Sequence, residues 1–268
     1  MKVTFNNNVI ETKEGTPVSK LLKKEIENNQ YQVVACRYNN EYMNLETEIN
    51  ENAKIELIDT HSKEGMKVYV RTLVYIMGKA FESLYPQEKL MVEYQLGNAM
   101  FCRCDNLKIT EEFIQKLKSK MQDIIDKNLK IKKVVMNREE AEKFFKETHT
   151  SKGKLQIDLE NNNEIYIYYC EKYFNYCYGV LANRTGIIDK FDIIEYHNGF
   201  LIRYPSSKNP TELPEFKETK KLAWALEEFD KIHDVLGVSR VYNLNKAIDE
   251  NKIEDIIMLA EALHEKKI

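Results

Sequence analysis

The chain has 268 residues, enough for two domains or one large one with a real core. Its hydrophobic content is 43% and its charged content 31%, a globular balance, and a mean hydropathy of -0.54 requires a very polar surface. A net charge of -3 argues against a strongly basic nucleic-acid binder and leaves room for a local basic stripe only. No apolar run approaches the roughly 18 residues a membrane span needs. The opening MKVTF reads as a strand and not as a signal peptide, so a cytoplasmic protein with no membrane partner is expected. Five cysteines, at 36, 102, 104, 170 and 177, form no C-x-x-C pair. Cys102 and Cys104 lie in strand-like sequence, where their side chains face opposite ways, so reduced and partly buried thiols are expected.

Residues 3–5 and 9–12 read as two strands around the turn Asn6-Asn7-Asn8. Thr16-Pro17 then opens a helix, with Thr16 as its cap and Pro17 at its first position. Val18, Leu21, Leu22 and Ile26 share one face of it. A strand over 32–38, a turn at Asn39-Asn40, a short return at Glu41-Tyr42 and a strand over 53–58 follow. One helix across a small mixed sheet is a β-grasp arrangement.

A long helix is expected over 65–85, stopped at Tyr85-Pro86. Val70, Leu73, Val74, Met77, Phe81 and Leu84 form its apolar stripe. Strands near 90–95 and 99–104 lead to a helix capped by Thr110, with Glu111 and Glu112 at its positive end. Phe113, Leu117, Met121, Ile124 and Ile125 are that helix's buried face. A strand over 131–136 precedes a capping box at Asn137 to Glu140. Strands over 155–159 and 165–170 flank Asn161-Asn162-Asn163, and strands over 191–196 and 200–204 form a hairpin around Asn198-Gly199. The Ser- and Pro-bearing segment 206–214 marks a boundary, and helices are expected over 217–236, 243–249 and 251–265. The fold class is therefore α+β: a β-grasp domain over residues 1–62, a larger domain over 63–205, and a helical tail over 206–268. Each domain has its own apolar periodicity, so a hinge is expected in the polar joint DTHSKEG, residues 59–65.

IELIDTHSKEGMKVYVRTLVY at 55–75, AFESLYP at 80–86 and YFNYCYGVL at 173–181 resemble the N-terminal half of threonyl-tRNA synthetases. The resemblance implies a TGS-like domain at 1–62 and an editing-type domain at 63–205. GFLIRYP at 199–205, LGVSRVYNLNKAI at 236–248 and AEALHEKKI at 260–268 resemble a family of bacterial nucleoside (uridine) kinase-like proteins, in which this tail leads into a P-loop kinase. That implies an N-terminal piece of an ATP- and Mg²⁺-dependent phosphotransferase, with 206–268 connecting to its own kinase domain as partner. No P-loop lies in this chain. Gly78-Lys79 runs into Ala80 and Gly153-Lys154 into Leu155, with no glycine at the required spacing before either. No cofactor is expected here.

The editing-type domain carries an H-x-x-x-H pair on its first helix and a C-x-x-x-H pair later. The matching positions here are Arg71 and Tyr75, then Cys177 and Leu181. A permanent cation and an aliphatic side chain cannot ligate, so no metal is expected. None of the five histidines, 61, 149, 197, 233 and 264, has a partner at metal spacing. Arg71, Tyr75 and Lys79 recur every four residues and share a helical face. In editing-type domains the ligand positions converge, which puts this face beside Cys177 and Tyr178. Two cations and a phenol in an aromatic-lined cleft would take a small anionic or nucleotide ligand. The aromatic strip at 166–178 reads as core before it reads as a base-stacking surface, and Lys127, Lys130, Lys132 and Lys133 as a solvated helix end. Three functions stay in play: a regulatory N-terminal half of a kinase, a trans-editing hydrolase of mischarged tRNA, and an RNA-binding accessory module.

Overall fold

Alternating apolar residues in the first sixty positions build one mixed sheet, seen in a computed structural model that describes residues 1–104, 106–148, 164–218, 220–238 and 241–266. Strands β1 (Lys2–Phe5) and β2 (Asn8–Glu11) form a hairpin whose turn residues Asn6 and Asn7 take positive φ. Asparagine tolerates that region better than other side chains. Next come β3 (Thr16–Pro17), α1 (Val18–Leu21), α2 (Lys23–Glu27), β4 (Val33–Tyr38), β5 (Glu41–Met43), β6 (Glu48–Ile49) and β7 (Ala53–Asp59). The sheet order is β2-β1-β7-β4-β5, with β1 and β7 parallel and their neighbours antiparallel. Val18 and Leu22 pack on its inner face with Val3, Val33, Cys36 and Ile55. Each fully buried aliphatic side chain there contributes about 1.5–3 kcal/mol.

The helix over this sheet differs from expectation at its start. Thr16 does not cap it. Thr16 and Pro17 pair with β6, and the Thr16 hydroxyl donates to the Lys13 carbonyl. Pro17 holds the capping position with an extended backbone, and the helix breaks at Leu22. A strand pairing two residues long was invisible to a periodicity argument, which needs several turns of pattern.

Helix α3 (Lys63–Leu84) begins two residues before the expected start, because the Ser62 hydroxyl accepts from the Gly65 amide at 3.0 Å. Gly65 is required by proximity: a Cβ there would lie 1.8 Å from the Asp59 carbonyl oxygen. The polar joint between β7 and α3 is therefore a tight corner. Val34, Ala35 and Ile58 of the sheet lie in one buried cluster with Met66, Tyr69 and Leu73 of α3. The hinge expected over 59–65 is thus spanned by continuous packing, and residues Met1–Val135 and Tyr166–Phe216 form a single compact unit.

The rest of that unit is β8 (Leu90–Gln95), β9 (Ala99–Cys104), α4 (Glu111–Asp126), β10 (Lys132–Asn137), of which Lys132–Val135 fall in this unit, and, after Tyr166, most of β11. Helix α4 is capped as expected, with the Phe113 amide donating to the Thr110 hydroxyl at 3.2 Å. Helix α5 (Arg138–Glu147) starts with the expected reciprocal capping box between Asn137 and Glu140. Strands β11 (Glu164–Cys170) and β12 (Tyr173–Asn175) form a second hairpin, and β10-β11-β12 is the sheet order among the described residues. The expected strand 155–159, its turn 161–163 and His149 lie outside the described residues. β13 (Asp192–Tyr196) and β14 (Gly199–Arg203) complete the antiparallel sheet β13-β14-β9-β8. Its two-residue turn is His197-Asn198, one residue earlier than expected, with Gly199 paired opposite Tyr196.

Segment 206–216 belongs to the same unit. Arg203 Nη2 donates to the Pro214 carbonyl at 2.6 Å, and Phe216 meets Tyr196 edge-on at 5.8 Å. The compact unit therefore ends at Phe216. The second unit is Met136–Ile165 with Lys217–Ile268. Besides α5 it holds α6 (Lys220–Leu236), α7 (Val241–Asp249) and α8 (Ile253–Glu265). Ala141, Phe145, Ala223 and Ala247 are buried in it, while Trp224 and Phe229 are exposed. Among the described residues, no helix is long and apolar enough to cross a membrane.

Candidate functional site

Helix α3 carries the expected site face, and a short irregular segment after β12 lies against it. Thr72, fully buried, makes the joint: its hydroxyl donates to the Val68 carbonyl at 2.8 Å and accepts from the Ala182 amide at 2.9 Å. The Tyr168 hydroxyl donates to the Gly179 carbonyl at 2.8 Å, and Asn44 donates to the Leu181 carbonyl at 3.1 Å. Segment 177–182 is thereby held by three polar contacts, from α3, from β11 and from Asn44 in the loop after β5.

Arg71 reaches this segment. Gly179 has φ +91°, and a Cβ on it would lie 2.9 Å from Arg71 Cζ. The guanidinium is thus laid over a glycine whose backbone conformation disfavours any side chain. Cys177 packs against the cluster that contains Tyr75 and Leu181. Burial pushes its thiol up to about 12, with the Arg71 charge pulling the other way. The four positions that match editing-type ligands are therefore brought together.

They do not make a cleft with a phenol and two cations. Tyr75 is 2% exposed, and its hydroxyl donates to the Tyr168 carbonyl at 3.0 Å, with the Tyr173 carbonyl at 3.4 Å. Burial also raises its ionisation well above the usual phenol range. Its ring meets Tyr173 edge-on at 5.1 Å. Tyr75 is a filled core position with its hydrogen bonds satisfied. Lys79, with a side chain 12% exposed, donates to the Cys170 carbonyl at 2.9 Å and pairs with Glu171 at 3.0 Å. Tyr178 is 79% exposed and points its ring to solvent. Of the five expected residues, Arg71 lies over Gly179 close enough for its charge to act on Cys177, Tyr75 is buried in the cluster that Cys177 packs on, Lys79 faces a different hollow, and Tyr178 is exposed. Sequence spacing fixed the helical face and could not say that a Tyr at that position fills its own cavity.

The donor set does not fit a metal. Arg71 is a fixed cation, Leu181 has no lone pair, Tyr75 is engaged, and the Cys177 thiol is held protonated. Among the described residues, no group of three or more His, Cys, Asp or Glu side chains is placed to hold a metal ion. His61 stacks on Tyr31 at 4.6 Å, and His197 sits against Tyr196 at 4.3 Å.

Two hollows were not expected. One, of about 510 Å³, lies between the end of α3, the last turns of α4 and the β11–β12 turn, and is lined in part by Lys79, Lys120, Lys127, Lys172 and Tyr173. Lys120 and Lys127 are seven residues apart on one helical face, a signal the sequence reading did not use. The other, of about 420 Å³, is lined by Lys130, Lys132 and Lys133 with Glu46, Glu48 and Asn183. The basic run read as one helix end is thus divided between two hollows. Lys133 also lies over the Tyr166 ring at 4.1 Å.

The architecture is a mixed α+β unit with a closed, ligand-poor site where α3 meets an aromatic loop. No family model matches the sequence. The chain is 31% identical over 199 residues to "Probable threonine--tRNA ligase, cytoplasmic" of Enterocytozoon bieneusi (strain H348), covering 72% of the chain and 30% of that protein. It is 29% identical over 188 residues to a threonine–tRNA ligase of Clostridium tetani, covering 69% and 29%. A Geobacillus threonine–tRNA ligase is 25% identical over 203 residues, covering 75% and 32%. The chain spans about a third or less of the length of these relatives. They support a tRNA-related reading over a kinase one. The expected nucleoside or uridine kinase-like parent is corrected by these names, none of which is a kinase. GFLIRYP, one of the segments carrying that resemblance, includes β14, an inner strand of the β13-β14-β9-β8 sheet, and its apolar pattern is what burial in that sheet requires.

Proposed function

We propose that this chain is a non-hydrolytic, tRNA-recognising portion of a threonyl-tRNA synthetase-like protein, cytoplasmic and without a resident metal. In this reading a TGS-like β-grasp domain at 1–62 and an editing-type domain beginning at 63 act in recognition, and 217–268 is an accessory helical tail. The strand order β2-β1-β7-β4-β5 with its parallel central pair supports the β-grasp half. The observation that carries the reading is the pair Arg71 and Tyr75. One is seated on Gly179 and the other is bonded to the Tyr168 carbonyl, where an editing-type site would present two histidines. The scaffold is kept and the hydrolytic donors are gone. A thiol pushed to about 12 is almost wholly protonated at neutral pH, so Cys177 does not supply a nucleophile in their place. An exposed Tyr178 and the Lys133–Tyr166 pair offer the aromatic and cationic faces that single-stranded RNA stacks on.

The test sets binding against turnover. Purified chain and tRNA are titrated by electrophoretic mobility shift at two salt concentrations, and mischarged tRNA is assayed for deacylation. Salt-sensitive tRNA binding without deacylation is expected. Deacylation above background that is lost in Cys177→Ala would overturn the non-hydrolytic assignment, and absence of any tRNA binding would remove the recognition role.

A further inference from the structure

The hollow at the end of α3 is separate from the closed site and has a different chemistry. Its lining carries four lysines against two glutamates. Lys79 is tied to Glu171 and to the Cys170 carbonyl, which makes it a fixed cation at the hollow's edge. Lys127 faces Glu171 closely enough to help hold that carboxyl below the usual range, second to the Lys79 pair, and it also offsets the negative C-terminal end of α4. Among the described residues, neither Lys120 nor Lys172 has a carboxylate within ion-pair distance. Two ammonium groups outside any ion pair therefore border the hollow, which Glu82 and the Lys79-paired Glu171 also line.

The remaining wall is apolar. Ile124, Leu129 and Tyr173 line it. Ile124 and Tyr173 are buried parts of the core, so this wall is rigid, with the Tyr173 hydroxyl accepting from Asn175 at 3.0 Å. A volume of about 510 Å³ falls in the range of sites for small organic ligands, which run from about 300 to 1,000 Å³. An aromatic and aliphatic wall facing unpaired ammonium groups matches a ligand with one flat or apolar end and one polyanionic end. A half-open recess bordered by α3, α4 and the hairpin turn suits a compact molecule better than a continuous strand, which needs a long open groove.

We propose that this hollow binds a small phosphorylated ligand of nucleotide size, its phosphates against Lys120 and Lys172 and its ring against the Tyr173–Leu129 wall. The site is independent of the tRNA reading, since it uses none of the residues that reading rests on.

Isothermal titration of the 268-residue chain with ADP in the absence of Mg²⁺, with inorganic pyrophosphate and with adenosine tests it. ADP is expected to bind more tightly than either fragment, because each supplies half of the contacts. Lys120→Ala and Lys172→Ala should each weaken ADP by about tenfold, the loss of one charge-assisted contact. Lys132→Ala, in the other hollow, should leave it unchanged. Lys172 is exposed and Lys120 partly buried, and far-ultraviolet circular dichroism checks that each variant is folded. No ADP binding, unchanged affinity in both variants, or pyrophosphate binding as tight as ADP would overturn the assignment. So would a single-stranded RNA oligonucleotide that displaces ADP at lower concentration through the same two lysines, since the hollow would then be an RNA contact.

Discussion

Tyr75→Phe isolates the claim that the old ligand position has become core. The ring is kept, so its edge contact with Tyr173 and its packing on Ile131, Tyr168 and Leu181 survive. Only the hydroxyl is lost, and with it the donor to the Tyr168 carbonyl at 3.0 Å. A typical hydrogen bond contributes about 1 kcal/mol net, and a buried carbonyl left without a donor raises the total to about 1–3 kcal/mol. With a urea slope of about 2 kcal/mol/M the midpoint should fall by about 0.5–1.5 M. The transition should be followed by near-ultraviolet circular dichroism of tyrosine. The single tryptophan, Trp224, lies in the second compact unit and would report on the wrong region. Binding of tRNA at 20 °C should stay within about twofold of the parent, well under the tenfold that 1.4 kcal/mol represents. A variant within about 0.5 kcal/mol of the parent in stability but unable to bind tRNA would refute the reasoning, because the hydroxyl would then be facing a ligand.

Two further outcomes follow from the same geometry. Thr72→Val keeps the shape but removes the acceptor of the Ala182 amide, and should destabilise the first unit by about 1–3 kcal/mol, read from the same urea transition. Thr72→Ser, which keeps the hydroxyl, should recover most of that loss. Burial pushes the Cys36 and Cys177 thiols up to about 12, with 9.0 as their ordinary value. The thiols are neutral in both states below about pH 9, so their contribution is complete there. Between about pH 9 and 12 the unfolded chain ionises first, and stability falls as pH rises. Buried tyrosines add a decline of the same sign, so the readout is a shallower fall in Cys36→Ala/Cys177→Ala, measured by urea unfolding at pH 8, 9, 10 and 11. An unchanged slope would show that the thiols ionise freely in the folded chain.

Much of this molecule was legible in one dimension because its signals are local. The Thr110 cap, the Asn137 capping box and the long α3 need only residues within a few positions of one another, and the structure repeats them within two residues. The convergence of Arg71 with Cys177 came from a resemblance, and the structure lays Arg71 over Gly179, two residues further along. What failed were statements about distance. The joint at 59–65 is polar and ends in glycine, as a hinge would. Its glycine serves instead to let α3 approach the Asp59 carbonyl, and sheet residues Val34 and Ile58 pack across it. Tyr75 and Lys79 share a helical face in sequence, but one is enclosed by β11 and β12 while the other reaches a glutamate past them. Lys120, Lys127 and Lys172 border one hollow although 52 residues separate the first from the last. Periodicity fixes which residues share a face of one element. Which elements meet that face, and whether a hydroxyl or an ammonium there finds a carbonyl, a carboxylate or open space, is set by packing between segments far apart in the chain, and only the tertiary structure decides it.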